Sequence, residues 1–113
     1  MKTITNPRVV SFDVDETITY LNPPDDPNLK YFDIETPWGE KACLAVNDKI
    51  IKAINNHKLQ GHFVIIWSAA GGDWAQAVCD SLGITKKVDL IMSKPQLYYD
   101  DTPADGWMKR IIP

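Results

Sequence analysis

Asp13 and Asp15 stand two positions apart, directly after the apolar run Val9-Val10-Ser11-Phe12. In extended backbone, residues i and i+2 point to the same side, so both carboxylates can face one bound group. Such a pair suits phosphoryl transfer. One carboxylate attacks phosphorus and carries it as an acyl phosphate, while the other protonates the departing oxygen and later takes a proton from water. We assign attack to Asp13 and proton transfer to Asp15. Taken alone, an Asp-x-Asp pair more often caps a strand and solvates a loop, so the weight falls on what else ends at the same rim.

Ser68 follows the uninterrupted apolar run Phe63-Val64-Ile65-Ile66-Trp67, and Ala69-Ala70-Gly71-Gly72 leads into the next helical stretch. A hydroxyl there can donate to a phosphate oxygen, and small residues, Ala69 first, let backbone N–H groups approach an anion at a helix N-terminus. The same composition also serves an ordinary strand-to-helix turn. Asp100 and Asp101 follow the short run Leu97-Tyr98-Tyr99. In open α/β sheets ligands bind beyond the carboxyl ends of the strands, a rule that gathers Asp13, Asp15, Ser68, Asp100 and Asp101. Clustered carboxylates repel one another unless a hard divalent cation that prefers oxygen sits between them. Mg2+ is therefore the expected cofactor, with Asp13, Asp15, Asp100 and Asp101 as its ligands; Asp105 is an alternative to Asp100.

The elements that must position these residues follow from periodicity. Arg8–Asp13 and Phe63–Trp67 read as buried parallel strands ending at a polar rim. Tyr31–Thr36 and Glu40–Val46 flank the turn Pro37-Trp38-Gly39 and read as a hairpin. Ile50, Ile51, Ile54 and Leu59 recur at helical spacing between an N-cap at Asn47 and Gly61, and a second helix runs from an N-cap at Asp73 to Leu82, closed by Gly83. Val88–Met92 and Leu97–Tyr99 are short strand candidates. The order β, hairpin, α, β, α, β, β is that of an α/β sheet with helices on its faces. One distance conflicts with it: the link from Lys94 to Asp100 reaches ~20 Å at most, too little for a crossover between parallel strands. Either the strand before Lys94 is vestigial, or Lys94 sits off the rim and reaches in along its side chain.

With 113 residues, 44% hydrophobic and 24% charged, the chain fits a single globular domain, residues 1–113, with the segment of about 20–46 as a flap. No apolar stretch approaches a membrane span, and the opening residues 1–7 carry no secretory pattern, so a soluble, cytoplasmic protein is expected. The net charge of −3 gives no basic footprint for a nucleic-acid backbone. Cys43 and Cys79 lack the spacing of a zinc site and read as reduced, buried thiols. His57 and His62 read as surface or capping residues, Trp67, Trp74 and Trp107 as filler. Tyr31, Phe32 and Trp38 read as aromatics packed on their own hairpin, although each could stack on a base or sugar.

Val10-Ser-Phe-Asp-Val-Asp-Glu-Thr-Ile18 resembles the first motif of the haloacid dehalogenase-like (HAD-like) hydrolase superfamily, and Val64-Ile-Ile-Trp-Ser68, Lys94-Pro95 and Tyr98-Tyr-Asp-Asp101 resemble its later motifs in order. The resemblance implies a small Rossmann-like parallel sheet flanked by helices, with a β-hairpin flap after the first strand in place of a large cap. It implies a magnesium-dependent phosphatase in which Asp13 is the nucleophile and Asp15 the acid/base that also offers magnesium its carbonyl. Ser68 and Lys94 would hold phosphate, and Asp100 and Asp101 would anchor the metal. Thr17 matches the closing Thr of the first motif; Glu16 departs from it, standing where the family often has Gly. The implied partner is a small phosphorylated substrate, with nucleotides, sugar phosphates and nucleic-acid ends all open. Exposed sheet edges make a homodimer an expectation as well. A rival reading is a non-catalytic metal- or phosphate-binding signalling module that retains the acidic pocket. A receiver-like phosphoacceptor is disfavoured by motif order, since there the acidic pair precedes the phosphorylated Asp.

Overall fold

β-Branched and aromatic residues dominate the two strands that build the main sheet, β1 (Val9–Asp13) and β5 (Phe63–Ser68), as expected for side chains that pack on a pleated surface. The structure, a computed structural model, describes residues 8–113; the reading of residues 1–7 as lacking a secretory pattern lies outside them. β1 pairs with β5 in parallel, Val9 opposite Phe63 through Asp13 opposite Trp67. β5 pairs on its other side with β6 (Leu90–Ser93), Ile65 opposite Leu90 through Ser68 opposite Ser93. The chain is thus an α/β protein with a three-stranded parallel sheet of order β1-β5-β6 and two helices.

A second sheet forms the expected hairpin. β3 (Lys30–Glu35) and β4 (Lys41–Val46) are antiparallel, and β2 (Thr19–Tyr20), a strand too short to announce itself in the sequence, adds to the far edge of β4. Ile34 and Leu44 sink into the same core as the parallel sheet, so the flap is packed onto the body.

Two helices cover the parallel sheet: α1 (Asp48–Leu59) packs on β5, and α2 (Gly72–Leu82) packs on β5, β6 and, in the second sheet, β3. Ile50 and Ile54, one turn apart, form the buried stripe of α1; Trp74, Ala75, Val78 and Cys79 form that of α2. Asn47 occupies the N-cap position of α1 without a side-chain cap bond. The cap of α2 is Gly71, not Asp73, which sits one position inside the first turn. Gly83 closes α2 in the left-handed conformation, φ 70°.

Right-handed crossovers in a sheet that advances in one direction carry both helices to one face. Burial agrees. Val64, Ile66 and Ser68 of β5 are buried with Phe12 beside them, whereas Phe63, Ile65 and Trp67 on the opposite face are not. The expectation of strands buried on both sides therefore holds for one face alone. Truncating a wholly buried residue such as Ile66 to Ala would cost about 2–5 kcal/mol.

Leu97–Tyr99, read as a strand, is irregular and exposed. The short link after Lys94 explains it: a further parallel strand needs a crossover of about a dozen residues, which the chain does not provide. Val88–Met92 is corrected to Leu90–Ser93, four residues in register with the C-terminal half of β5, so Lys94 leaves the sheet at the rim. Its N–H donates to the Ser68 carbonyl at 2.9 Å. Beyond Lys94 the backbone bonds are local to a 3-10 turn at Ala104–Gly106.

Candidate active site at the strand ends

Asp13 is the last residue of β1 and half-buried. Pairing with Trp67 puts it on the less covered face of the sheet, while Ser68 lies on the covered face with Ile66. The two are neighbours across the rim rather than side by side on one surface. Past Asp13 the strand gives way at once: the carbonyl of Val14 accepts from the N–H groups of Thr17, Ile18 and Thr19 at 3.2, 2.9 and 3.1 Å. Asp15 consequently sits in a turn, not in the extended i, i+2 geometry drawn from the sequence.

Glu16 adopts φ 60° in this turn, a left-handed backbone unusual for a residue with a side chain. Its carboxylate oxygen Oε1 accepts from the N–H groups of Leu21 and Asn22 at 2.5 and 2.8 Å, tying the turn to the loop beyond β2. A Gly would fit the backbone and lose both bonds. This accounts for an acidic residue where the motif it resembles often has Gly.

What holds Asp15 is Trp74. The indole Nε1–H donates to Asp15 Oδ1 at 2.9 Å, joining the turn after β1 to the first turn of α2. Residue pattern does not reveal this partner, because Trp74 lies on the apolar stripe of its helix and its ring is buried; only the general need of a buried indole N–H for an acceptor points to it. Trp38, at the tip of the flap, packs against Trp74 with ring centroids 5.6 Å apart and planes tilted by 40°.

Ser68 is buried, and its hydroxyl oxygen accepts from the N–H of Ala70 at 3.1 Å. Its proton stays available for donation. The Ser68 carbonyl takes the N–H of Gly71 at 3.1 Å, and Ser93 Oγ takes that of Gly72 at 2.8 Å. Three of the four N–H groups expected to cradle an anion are thus already engaged in holding the turn. Ala69, exposed, is the one outside these bonds. Gly72 packs closely on β6: a Cβ there would lie 3.2 Å from the backbone nitrogen of Ser93, so a side chain would need the strand to give by a few tenths of an ångström.

Asp100 and Asp101 are exposed; their carboxylates accept from Thr102, through its N–H at 3.0 Å and its hydroxyl at 3.3 Å respectively. Among the described residues no three His, Cys, Asp or Glu side chains gather as a group that could hold a metal ion by themselves. The donor chemistry at the rim still suits magnesium, which commonly takes one or two carboxylates and completes its shell with phosphate oxygens and water. Asp13 and the backbone carbonyl of Asp15 are hard oxygen donors of that kind.

The strand ends bring Asp13, Ser68 and the backbone of Lys94 to one rim. Compared with protein-family models, with curated proteins and with solved structures, the chain matches none.

Beside this rim lies a cleft of about 320 Å³ between the flap tip and the start of α2, lined by residues that include Trp38, Gly71, Asp73, Trp74 and Ser93. Trp38, read as packed on its own hairpin, is 60% exposed, and Trp107, at 57%, is not core filler. Cys79 is buried as expected, and burial pushes its thiol up to about 12; Cys43, expected buried, is exposed on β4 opposite Asp33. Far from the rim, His57 and His62 meet with their Nδ1 atoms 2.8 Å apart, so they form a half-buried pair rather than two separate surface residues. Burial, then His62 and Arg8, hold His57 below the usual imidazole range. Among the described residues no helix is long and apolar enough to cross a membrane.

Proposed function

We propose that the chain is a magnesium-dependent phosphomonoester hydrolase of the HAD-like type: a small, uncapped, Rossmann-like domain with a hairpin flap. The observation that carries the reading is the Asp15 carboxylate, anchored by Trp74 Nε1 at 2.9 Å just beyond the strand end that presents Asp13. Support also comes from the parallel order β1-β5-β6 with the flap between its first two strands, and from the ordered series of motifs that resemble that superfamily.

In this mechanism Asp13 attacks phosphorus, the bond from phosphorus to the ester oxygen breaks, and Asp15 gives that oxygen its proton. Water then attacks the aspartyl-phosphate, Asp15 takes a proton from it, and phosphate leaves with Asp13 regenerated. Ser68 Oγ–H and the Lys94 ammonium would bind phosphate oxygens. Magnesium would be held by Asp13, the Asp15 carbonyl and Asp100 or Asp101, and when bound supplies neutralisation of the charge on the phosphoryl oxygens. Trp74 keeps one Asp15 oxygen occupied so that the other faces the ester.

Phosphate release from p-nitrophenyl phosphate, measured with and without magnesium, tests this. Wild-type protein should turn over only with the metal, and Asp13→Asn should lose at least about a thousandfold in kcat. Unchanged activity in that variant overturns the nucleophile. Binding of beryllofluoride without any turnover would instead favour the signalling-module reading.

A further inference from the structure

We infer that the cleft between the flap tip and α2 is the leaving-group subsite of this active site, and that it takes an uncharged alcohol that carries a planar aromatic ring, of which a nucleoside is the type. This deepens the phosphatase reading and rests on it for the location of the ester.

The argument begins with the flap turn. Thr36 N–H donates to the Glu40 carbonyl at 2.7 Å, Glu40 N–H to the Thr36 hydroxyl at 2.9 Å, and Gly39 N–H to the Thr36 carbonyl at 3.0 Å, with Gly39 at φ 91°. The tip is therefore a closed, ordered loop, and Trp38 projects from it with more than half its surface in solvent. Its Nε1–H donates to Glu40 Oε2 at 3.3 Å, which fixes the ring's direction. An aromatic packed on its own sheet, the expectation for this hairpin, would be covered; Trp38 instead reaches across to Trp74 and leaves the rest of its ring to the cleft. Trp74 is also the residue that anchors Asp15, so the wall of the cleft and the proposed acid/base share a side chain.

Charge then narrows the ligand. The cleft-lining residues include neither Lys nor Arg, and Asp73 is their one charged group. A second phosphate on the substrate would find no cation there and would be repelled, whereas a neutral ring bearing N–H or O–H donors can stack on Trp38 and donate to Asp73. The volume of about 320 Å³ lies at the small end of the range for ligand sites and has room for a base with its sugar.

Titration calorimetry with adenosine, which carries no phosphate, tests the subsite apart from catalysis. Wild-type protein should bind adenosine, Trp38→Ala should weaken binding about tenfold or more, and Trp38→Phe should stay within about threefold of wild type. In parallel, kcat/KM for adenosine 5′-monophosphate should exceed that for glycerol 3-phosphate and for fructose 1,6-bisphosphate, with the preference for the nucleotide collapsing in Trp38→Ala. Absence of adenosine binding, or equal binding by Trp38→Ala, overturns the subsite even if p-nitrophenyl phosphate is hydrolysed. Adenosine binding lost in Trp38→Ala from a protein that hydrolyses no phosphomonoester upholds the pocket and sinks the phosphatase.

Discussion

At the scale of single residues, the indole–carboxylate contact has the most direct consequence. Trp74→Phe keeps a ring on the buried stripe of α2 while it deletes the donor to Asp15 and shortens the ring. A hydrogen bond to a charged group contributes about 1.5–3 kcal/mol. Much of this should appear in the chemical step, since a freed Asp15 carboxylate samples orientations that do not face the ester. The expected result is a fall in kcat of about tenfold or more with KM unchanged, while the thermal midpoint moves by only a few degrees. A variant that loses stability and keeps kcat would mark the contact as structural. Residue types at the rim were legible in the sequence because acids and a serine ending apolar runs are unusual enough to be noticed. The partner of Asp15 was not, because a tryptophan on a helical apolar stripe looks the same whether its N–H is used or idle. Trp38 was misjudged for a related reason: hairpin aromatics usually pack, and only the turn geometry shows this one held away from its own sheet.

At the scale of elements, Asp89 joins three of them. Its Oδ1 accepts from Lys58 of α1 at 2.6 Å, its Oδ2 from the N–H of Val64 in β5 at 2.7 Å, and its own N–H donates to the Val64 carbonyl at 2.9 Å just before β6 begins. The bonds from Lys58 and Val64 favour the carboxylate and hold Asp89 below its usual pKa of 3.8. A carboxylate with a lowered folded-state pKa adds stability that is complete above its unfolded value and is lost as pH falls through the folded one. Asp89→Ala should therefore cost about 1–2 kcal/mol at pH 7, a figure discounted for the partly exposed Lys58. The gap between variant and wild type should narrow below about pH 4. Urea midpoints at pH 7 and pH 3 check both; a gap that stays constant would remove the charge from the explanation. The hairpin and both helices could be read from period and punctuation, and a helix N-cap misassigned by two residues is the ordinary margin of such reading. The absent strand at Leu97–Tyr99 is more instructive. Its residues favour β-structure, but pairing depends on a crossover the chain lacks, and the reach of the backbone, not local preference, decided the outcome.

At the scale of the whole molecule, the core and the late acidic pair among the proposed metal ligands come from different parts of the chain. Every residue of the buried core cluster lies between Phe12 and Ile84, with Val88 and Ile91 packed against it. Leu97, Tyr98, Tyr99, Trp107, Ile111 and Ile112 are instead exposed, and the hydrogen bonds of this segment join its own residues, as from Ala104 N–H to Tyr98 Oη at 3.2 Å. Folding and the acidic contribution of Asp100 and Asp101 should therefore be separable. A chain ending at Gln96 keeps the Lys94 bond to Ser68, and its thermal midpoint should stay within about 5 °C of the full-length protein, equivalent to roughly 1 kcal/mol. Its phosphate release should nevertheless need about tenfold or more magnesium for half-maximal activity, because the ion would keep Asp13, the Asp15 carbonyl, substrate and water but lose a charged ligand. In the full chain, Asp100→Asn, Asp101→Asn and Asp105→Asn then identify the carboxylate responsible: the one that anchors magnesium should raise the metal concentration needed for half-maximal activity about tenfold or more, since it removes a charged ligand from a hard cation. Turnover that survives truncation at its original magnesium requirement would show that the late acidic residues are only a solvated surface, and that the rim after β1 holds the ion without them.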